Sequence, residues 1–152
     1  MLTLLRWSGN PNLFCNSFFY KTAHHCTCCM TVRGIRQDLL DLLFEMGRGA
    51  HPNEFVALLT ERDGVIDEAN LLPGTVTGEN SASLHVDMMP LSTHIAGSCH
   101  SHPNGVLQPS DADIRFFPRT GRFHIIIGYP YGTRDWRCFT ADGRPFCMEV
   151  LT

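Results

Sequence analysis

The chain has 152 residues, a hydrophobic content of 43% and a formal net charge of −3, from 12 Lys and Arg against 15 Asp and Glu. This length suits one domain around one core, and no uninterrupted apolar run approaches the roughly 18 residues that a transmembrane helix needs. The slightly acidic balance gives no electrostatic support for a nucleic-acid partner.

The first 29 residues differ from the rest of the chain. They contain no acidic residue and four of the seven cysteines. The cluster His24-His25-Cys26-Thr27-Cys28-Cys29 has only Cys15 upstream, whereas a structural zinc site pairs two separated ligand clusters. No basic start is followed by an uninterrupted apolar segment, so a secretory signal is a poor fit. We therefore predict a cytoplasmic domain over residues 30–152, preceded by an atypical extension, 1–29, that is disordered or not translated.

The next segment predicts one helix and several strands. Ile35, Leu39, Leu40, Leu43 and Met46 recur at three- and four-residue steps, which indicates an amphipathic helix that ends near residues 47–49. Segments 55–60 and 65–72 predict a hairpin around the turn 61–64. A polar, glycine-containing loop is expected over 74–81. An alternating strand over 83–88 is expected to pair near the strand that follows it.

The most informative stretch begins where a predicted strand over 93–99 leads into His100-Ser101-His102-Pro103. Residues i and i+2 of a strand point to the same side, so His100 and His102 are placed to face one cation together. Pro103 interrupts the strand, and Ser110 is positioned as the N-cap of a helix over 110–117. Asp113, three residues into that helix, is expected to lean toward the histidines.

These residue types point to hydrolytic zinc chemistry. Catalytic zinc commonly has three protein ligands from His and Asp or Glu and leaves one position for water. His100, His102 and Asp113 would supply the three ligands, and a separate group must move protons. Glu54, at the start of the apolar segment 55–59, is the best candidate for this general base, and Glu61 and Glu68 are further upstream carboxylates.

The remaining segments complete the predicted fold. Strands are expected over 123–128, 136–140 and 145–150, which gives an α+β domain with a mixed central sheet flanked by helices. Cys99, Cys138 and Cys147 fall on these strands and read as buried free thiols, although the sequence does not exclude a disulfide among them. Cys99 should point away from His100 and not share its metal.

Glu54 followed by His100-x-His102-Pro, six residues and Ser110-x-x-Asp113 resembles the signature of the JAMM (MPN-plus) metalloproteases, compact archaeal and bacterial type. The resemblance spans roughly residues 30–150 and implies a cytidine-deaminase-like α+β fold with one catalytic Zn²⁺. It implies that His100, His102 and Asp113 bind the zinc. It also implies that Glu54 is the general base and acid, and that Ser110 stabilises the oxyanion. Helix capping alone would also account for Ser110.

The same resemblance implies an isopeptidase or peptidase that cleaves after the C-terminal Gly-Gly of ubiquitin-like modifiers. The expected partner is a ubiquitin-like or sulfur-carrier protein, with neither nucleic acid nor membrane involved; the oligomeric state is left open. Three alternatives remain: a C-terminal processing peptidase for sulfur carriers, a non-catalytic zinc-bearing interaction module, and an amidohydrolase acting on a small molecule.

Overall fold

The computed structural model describes residues 32–71 and 94–152. In chain order, the elements within these residues are β1 (Gly34–Arg36), α1 (Gln37–Ala50), β2 (Val56–Arg62), β3 (Val65–Leu71), β4 (Ile95–His102), α2 (Asp111–Phe116), a 3₁₀ turn (Phe117–Arg119), β5 (Phe123–Gly128), β6 (Trp136–Thr140), β7 (Pro145–Phe146) and β8 (Glu149–Leu151). The strands form one mixed sheet in the order β7-β6-β5-β4-β2-β3-β1-β8. This arrangement confirms the predicted α+β class with a mixed central sheet.

The start of the first helix is the clearest error of the sequence prediction. Ile35, which was assigned to the helix, lies in β1, and α1 begins at Gln37. The reason is a long-range interaction, because β1 pairs in parallel with both β3 and β8 and buries Ile35 completely. No local pattern in the sequence encodes that pairing. The remaining helix is as predicted, with its apolar stripe facing the core.

The predicted hairpin is confirmed with a tighter turn. Strand β2 continues through Arg62, and only Asp63 and Gly64 form the turn, both with positive φ, of 53° and 78°. The expected loop over 74–81 and the expected strand over 83–88 lie outside the described residues. Residues 1–29 also lie outside them, so the domain boundary remains a prediction.

Downstream of the histidines, the prediction is confirmed except at the end of the chain. Ser110 caps α2, and β5 and β6 have the predicted bounds. The single strand expected over 145–150 is wrong, because the chain forms β7 beside β6 and then β8 beside β1. These two short strands thereby extend opposite edges of the sheet.

The sheet separates two apolar clusters of unequal size. Alternate residues of β5 show the division: Ile125 and Ile127 pack in the large cluster with α1, whereas Ile126 joins Phe117 and Phe139 in the small one on the α2 side. Cys99 is buried in the large cluster, as its predicted orientation requires. Cys99 and Cys138 are buried free thiols, whereas Cys147 is exposed and its predicted burial is wrong. No helix among the described residues has the length and apolar character to cross a membrane.

Candidate metal centre

Strand β4 carries both predicted histidine ligands to one end of the sheet. It lies between β2 and β5, so its backbone is paired on both sides and its residues from Ala96 onward are buried. His100 and His102, two residues apart at its carboxyl end, are only 7% and 8% exposed. A central strand is among the least mobile parts of a sheet, and it fixes the spacing of the two imidazoles.

Asp113 is supplied by the first turn of α2. The Ser110 side chain accepts a hydrogen bond from the Asp113 backbone N–H at 3.2 Å, while Asp113 Oδ2 accepts from the Ser110 backbone N–H at 2.7 Å. This reciprocal capping box orders both side chains at the start of a helix of only six residues. The Ser110 hydroxyl also donates to Asp113 Oδ2 at 2.7 Å. Ser110 therefore positions the carboxylate that the sequence predicts as a ligand.

Both predicted histidine ligands contact the third predicted ligand, Asp113. His100 Nδ1 lies 2.9 Å from Asp113 Oδ1, and His102 Nε2 lies 3.4 Å from Asp113 Oδ2. Burial by itself raises the pKa of Asp113, but the hydrogen bonds from His100 and His102 hold that pKa below its ordinary value. Burial lowers the pKa of His102, yet its hydrogen bonds to Asp113 and to the Val106 carbonyl raise it overall. Asp113 is thus an anion between two imidazoles.

A chain of buried hydrogen bonds determines which nitrogen of His100 faces Asp113. His124 Nε2 lies 3.2 Å from the Gly121 carbonyl, which only accepts, so this nitrogen carries the proton. Burial lowers the pKa of His124 to about 4, so the ring is neutral and its Nδ1 accepts from the Ser98 hydroxyl at 2.9 Å. Ser98 Oγ then accepts from His100 Nε2 at 3.1 Å. Nε2 of His100 is thereby committed to Ser98, and Nδ1 is the nitrogen directed at Asp113.

A hydrogen bond to the backbone likewise determines which nitrogen of His102 faces Asp113. Its Nδ1 donates to the Val106 carbonyl at 2.7 Å, which leaves Nε2 directed at Asp113. An imidazole nitrogen and a carboxylate oxygen this close need a shared cation, either a proton or a metal ion. Across residues 32–71 and 94–152, no three His, Cys or acidic side chains are spaced around a common point as metal ligands are. Here the direct His–Asp contacts draw the donors together.

The donor set nevertheless fits zinc by its chemistry. Two neutral imidazoles and one carboxylate make up a common catalytic zinc set. Each ring also has its second nitrogen occupied by a hydroxyl or carbonyl oxygen, the arrangement that orients metal-bound histidines. His100 Nδ1, His102 Nε2 and the Asp113 carboxylate are therefore the atoms that would hold the ion.

Glu54 lies just before β2 and lines the same site. An open pocket of about 390 Å³ is lined by Glu54, Val56, His100, Ala112, Asp113, Arg115, Phe116 and Arg119. Ser101 anchors this approach, because its Oγ accepts from the Phe55 backbone N–H at 2.8 Å and its own N–H donates to the Phe55 carbonyl at 3.1 Å. Glu54 itself is exposed, so its carboxylate is open to water and to a substrate.

Three positioning residues were missed by the sequence analysis: Ser98, Ser101 and His124. A signal was present for two of them. Ser98 and His124 are polar residues in strands that are otherwise apolar, and a buried polar group requires a hydrogen-bond partner. Phe117 stacks on His124 with ring centroids 4.0 Å apart and planes 3° from parallel. The second ring thus fixes the plane of His124 and with it the direction of both its hydrogen bonds.

Comparison with known proteins gives consistent matches. A family model described as prokaryotic homologues of the JAB domain matches residues 36–139. A Haloferax volcanii protein named as a probable metalloprotease is 45% identical over 130 residues, 79% of this chain and 80% of that protein. A solved JAB1/MPN domain protein from Archaeoglobus fulgidus is 34% identical with a TM-score of 0.65, covering 78% of this chain and 99% of its own. A structure described as JAMM, a metalloprotease-like zinc site in the proteasome and signalosome, is 32% identical with a TM-score of 0.64, covering 80% and 100%.

Proposed function

This chain belongs to the prokaryotic JAB family of JAMM/MPN metalloprotease-like proteins, and from that premise we propose that it is a zinc-dependent isopeptidase or peptidase. Its proposed substrates are ubiquitin-like proteins, cleaved after their C-terminal Gly-Gly. The observation that carries the proposal is that an exposed carboxylate, Glu54, lines the same pocket as His100 and Asp113. A solved relative described as a metalloprotease-like zinc site supports zinc as the metal.

The zinc ion, when bound, supplies a Lewis acid and a water molecule of lowered pKa, about 7 in comparable sites. Glu54 acts as the proton carrier: its carboxylate takes a proton from the attacking water and later returns it to the leaving amine. Because Glu54 lies outside the cluster of His–Asp contacts, it is not already committed to the metal ligands.

Ser110 is proposed to stabilise the oxyanion, and the structure shows what that role requires. A hydroxyl has one proton, which Ser110 donates to Asp113 Oδ2. To stabilise the oxyanion, Ser110 must donate this proton to the oxyanion instead of to Asp113. The Ser110 backbone N–H still holds the same carboxylate oxygen at 2.7 Å, so Asp113 stays in place during the exchange.

Cleavage of Gly-Gly-tailed fusions by the full-length chain tests the proposal. A linear precursor and a lysine-linked conjugate of the same modifier separate precursor processing from conjugate removal. We expect cleavage after the second glycine, lost on zinc chelation. Glu54→Gln should keep zinc and lose about 10²- to 10⁴-fold in kcat, whereas Asp113→Ala should lose the metal.

Glu68→Gln is the matched control, because Glu68 is another exposed carboxylate, on β3, and does not line the pocket. It should leave turnover unchanged. Full turnover by Glu54→Gln would show that the base is assigned wrongly. One zinc per chain with no cleavage of either substrate would instead favour the non-catalytic module, and cleavage of small acyl amides alone would favour the amidohydrolase.

A further inference from the structure

One wall of the pocket is a single stripe of side chains. Ala112, Arg115, Phe116 and Arg119 all line it, and they occupy positions i, i+3, i+4 and i+7 through α2 and the 3₁₀ turn. Residues at this spacing lie on the same face of a helix. Along this stripe one arginine lies on each side of the half-buried Phe116. The stripe and His100 line the same pocket.

These two arginines have no partner within the part of the chain that the structure describes. Seven other arginines among the described residues each have a guanidinium in contact with an acidic side chain, a carbonyl or an aromatic ring. Only Arg115, Arg119 and Arg134 make none of these contacts with the described residues. Two of the three thus face the pocket that holds the candidate metal site.

The acids inside the pocket do not neutralise them. Asp113 is engaged by His100, His102 and Ser110, and Glu54 lies beyond ion-pair distance of either guanidinium. A guanidinium presents its N–H groups in a planar fork that matches a carboxylate, so an unpaired arginine in a pocket is suited to an incoming acidic group. Charge complementarity therefore favours an acidic ligand.

We propose that Arg115 and Arg119 form an interaction surface for an acidic side chain flanking the Gly-Gly of the substrate, so that the protein prefers Asp or Glu directly before or directly after the two glycines. The inference rests on the proposed function and names a feature of its substrate. Phe116, between the two cations, provides an apolar contact for the backbone and stem of the same segment.

The test uses Gly-Gly-tailed fusions that carry Asp, Asn or Lys either before or after the two glycines. With the full-length, zinc-loaded protein we expect kcat/KM for the Asp fusion to exceed that for the Asn fusion by about tenfold at one of the two positions. The double variant Arg115→Glu/Arg119→Glu should lose this preference and favour the Lys fusion, with its zinc content unchanged.

Arg134→Glu is the matched control, because the Arg134 guanidinium likewise contacts none of the described residues and Arg134 lies outside the pocket lining. It makes the same Arg-to-Glu change as each site of the double variant, half of the double variant's change in net charge, and should leave the Asp-to-Asn ratio as it is. Equal kcat/KM for Asp and Asn fusions at both positions would overturn the inference while leaving the proposed function standing. So would inhibition by a single-stranded oligonucleotide that depends on the two arginines, without any preference for Asp.

A binding measurement distinguishes failure of this inference from failure of the proposed function. If no fusion is cleaved, binding of fluorescein-labelled Asp, Asn and Lys peptides is measured by anisotropy with the same proteins. Tighter binding of the Asp peptide to the wild-type protein, lost in the double variant but kept in Arg134→Glu, would support the acidic-ligand surface without the reaction. Equal binding of all three peptides would overturn it.

Discussion

Replacing Ser98 with alanine isolates the effect of a single buried hydroxyl on the metal site. Ser98 Oγ joins His124 Nδ1 at 2.9 Å to His100 Nε2 at 3.1 Å and does not contact Asp113. Without Ser98, His100 loses the hydrogen-bond partner of its Nε2, the contact that directs Nδ1 toward Asp113. The ring is then free to change tautomer or orientation, so fewer molecules present the nitrogen that the metal needs.

Two effects of different size are expected. Two buried groups lose their partner, at about 1–3 kcal/mol each where a group stays unpaired, so Ser98→Ala should lower the free energy of unfolding of the metal-free protein by about 2–6 kcal/mol. Loss of an outer hydrogen bond to a metal-bound histidine weakens metal binding by about 10- to 100-fold. Zinc affinity should therefore fall by that factor.

The assay is zinc competition with a chromophoric chelator, together with urea unfolding of the metal-free protein. Thr120→Val is the matched control, because Thr120 also has a buried hydroxyl near α2, but this hydroxyl donates to the Phe117 carbonyl and not to the His100 chain. It should lose some stability and keep its zinc affinity. His124→Phe, which preserves the ring beside Phe117, should weaken zinc binding less than Ser98→Ala does. Equal zinc affinity in Ser98→Ala and Thr120→Val would refute the reasoning.

Three further outcomes are expected. Burial lowers the pKa of His124 to about 4, so between about pH 6.5 and 4 the unfolded chain binds the extra proton. The metal-free protein should therefore lose up to about 3 kcal/mol of stability as the pH falls through that range; urea unfolding of His124→Gln should show a flatter pH dependence. Burial raises the pKa of Cys138 to about 12 and raises that of Cys99 as well, so mass spectrometry should find both thiols unalkylated until urea unfolds the protein. A Cβ at Gly97 would lie 1.5 Å from the Phe123 carbonyl oxygen, so Gly97→Ala should prevent folding; Gly49→Ala, in α1 with open space around it, should instead raise the melting temperature.

The sequence was informative wherever the chemistry is local. The pair His100 and His102, the cap at Ser110 and the carboxylate at Asp113 all follow from strand and helix periodicities over fourteen residues. Glu54 was chosen from its position before an apolar segment and from the family signature, and its placement in the pocket depends on the pairing of Val56 with His100 across β2 and β4. The predicted roles of these residues in catalysis are matters for the experiments above.

What the sequence did not reveal depends on register between strands far apart in the chain. Ser98 lies opposite His124 because β4 and β5 pair in parallel, with α2 between them in the sequence. A shift of one residue would place His124 on the other face of the sheet, in the apolar cluster with α1. The hydrophobic pattern of each strand restricts this register but does not determine which residues pair. The same limit explains β1, whose strand conformation depends on β3 and β8.

The unequal clusters on the two faces of the sheet bear on how far the site can be altered. The α1 side contains most of the buried apolar residues, whereas the α2 side has a small cluster and the polar chain through Ser98 and His124. Folding free energy therefore comes mainly from the face opposite the metal centre. Substitutions in the polar chain should consequently reduce metal binding in a protein that remains folded. Zinc affinity can therefore be measured on folded Ser98→Ala protein.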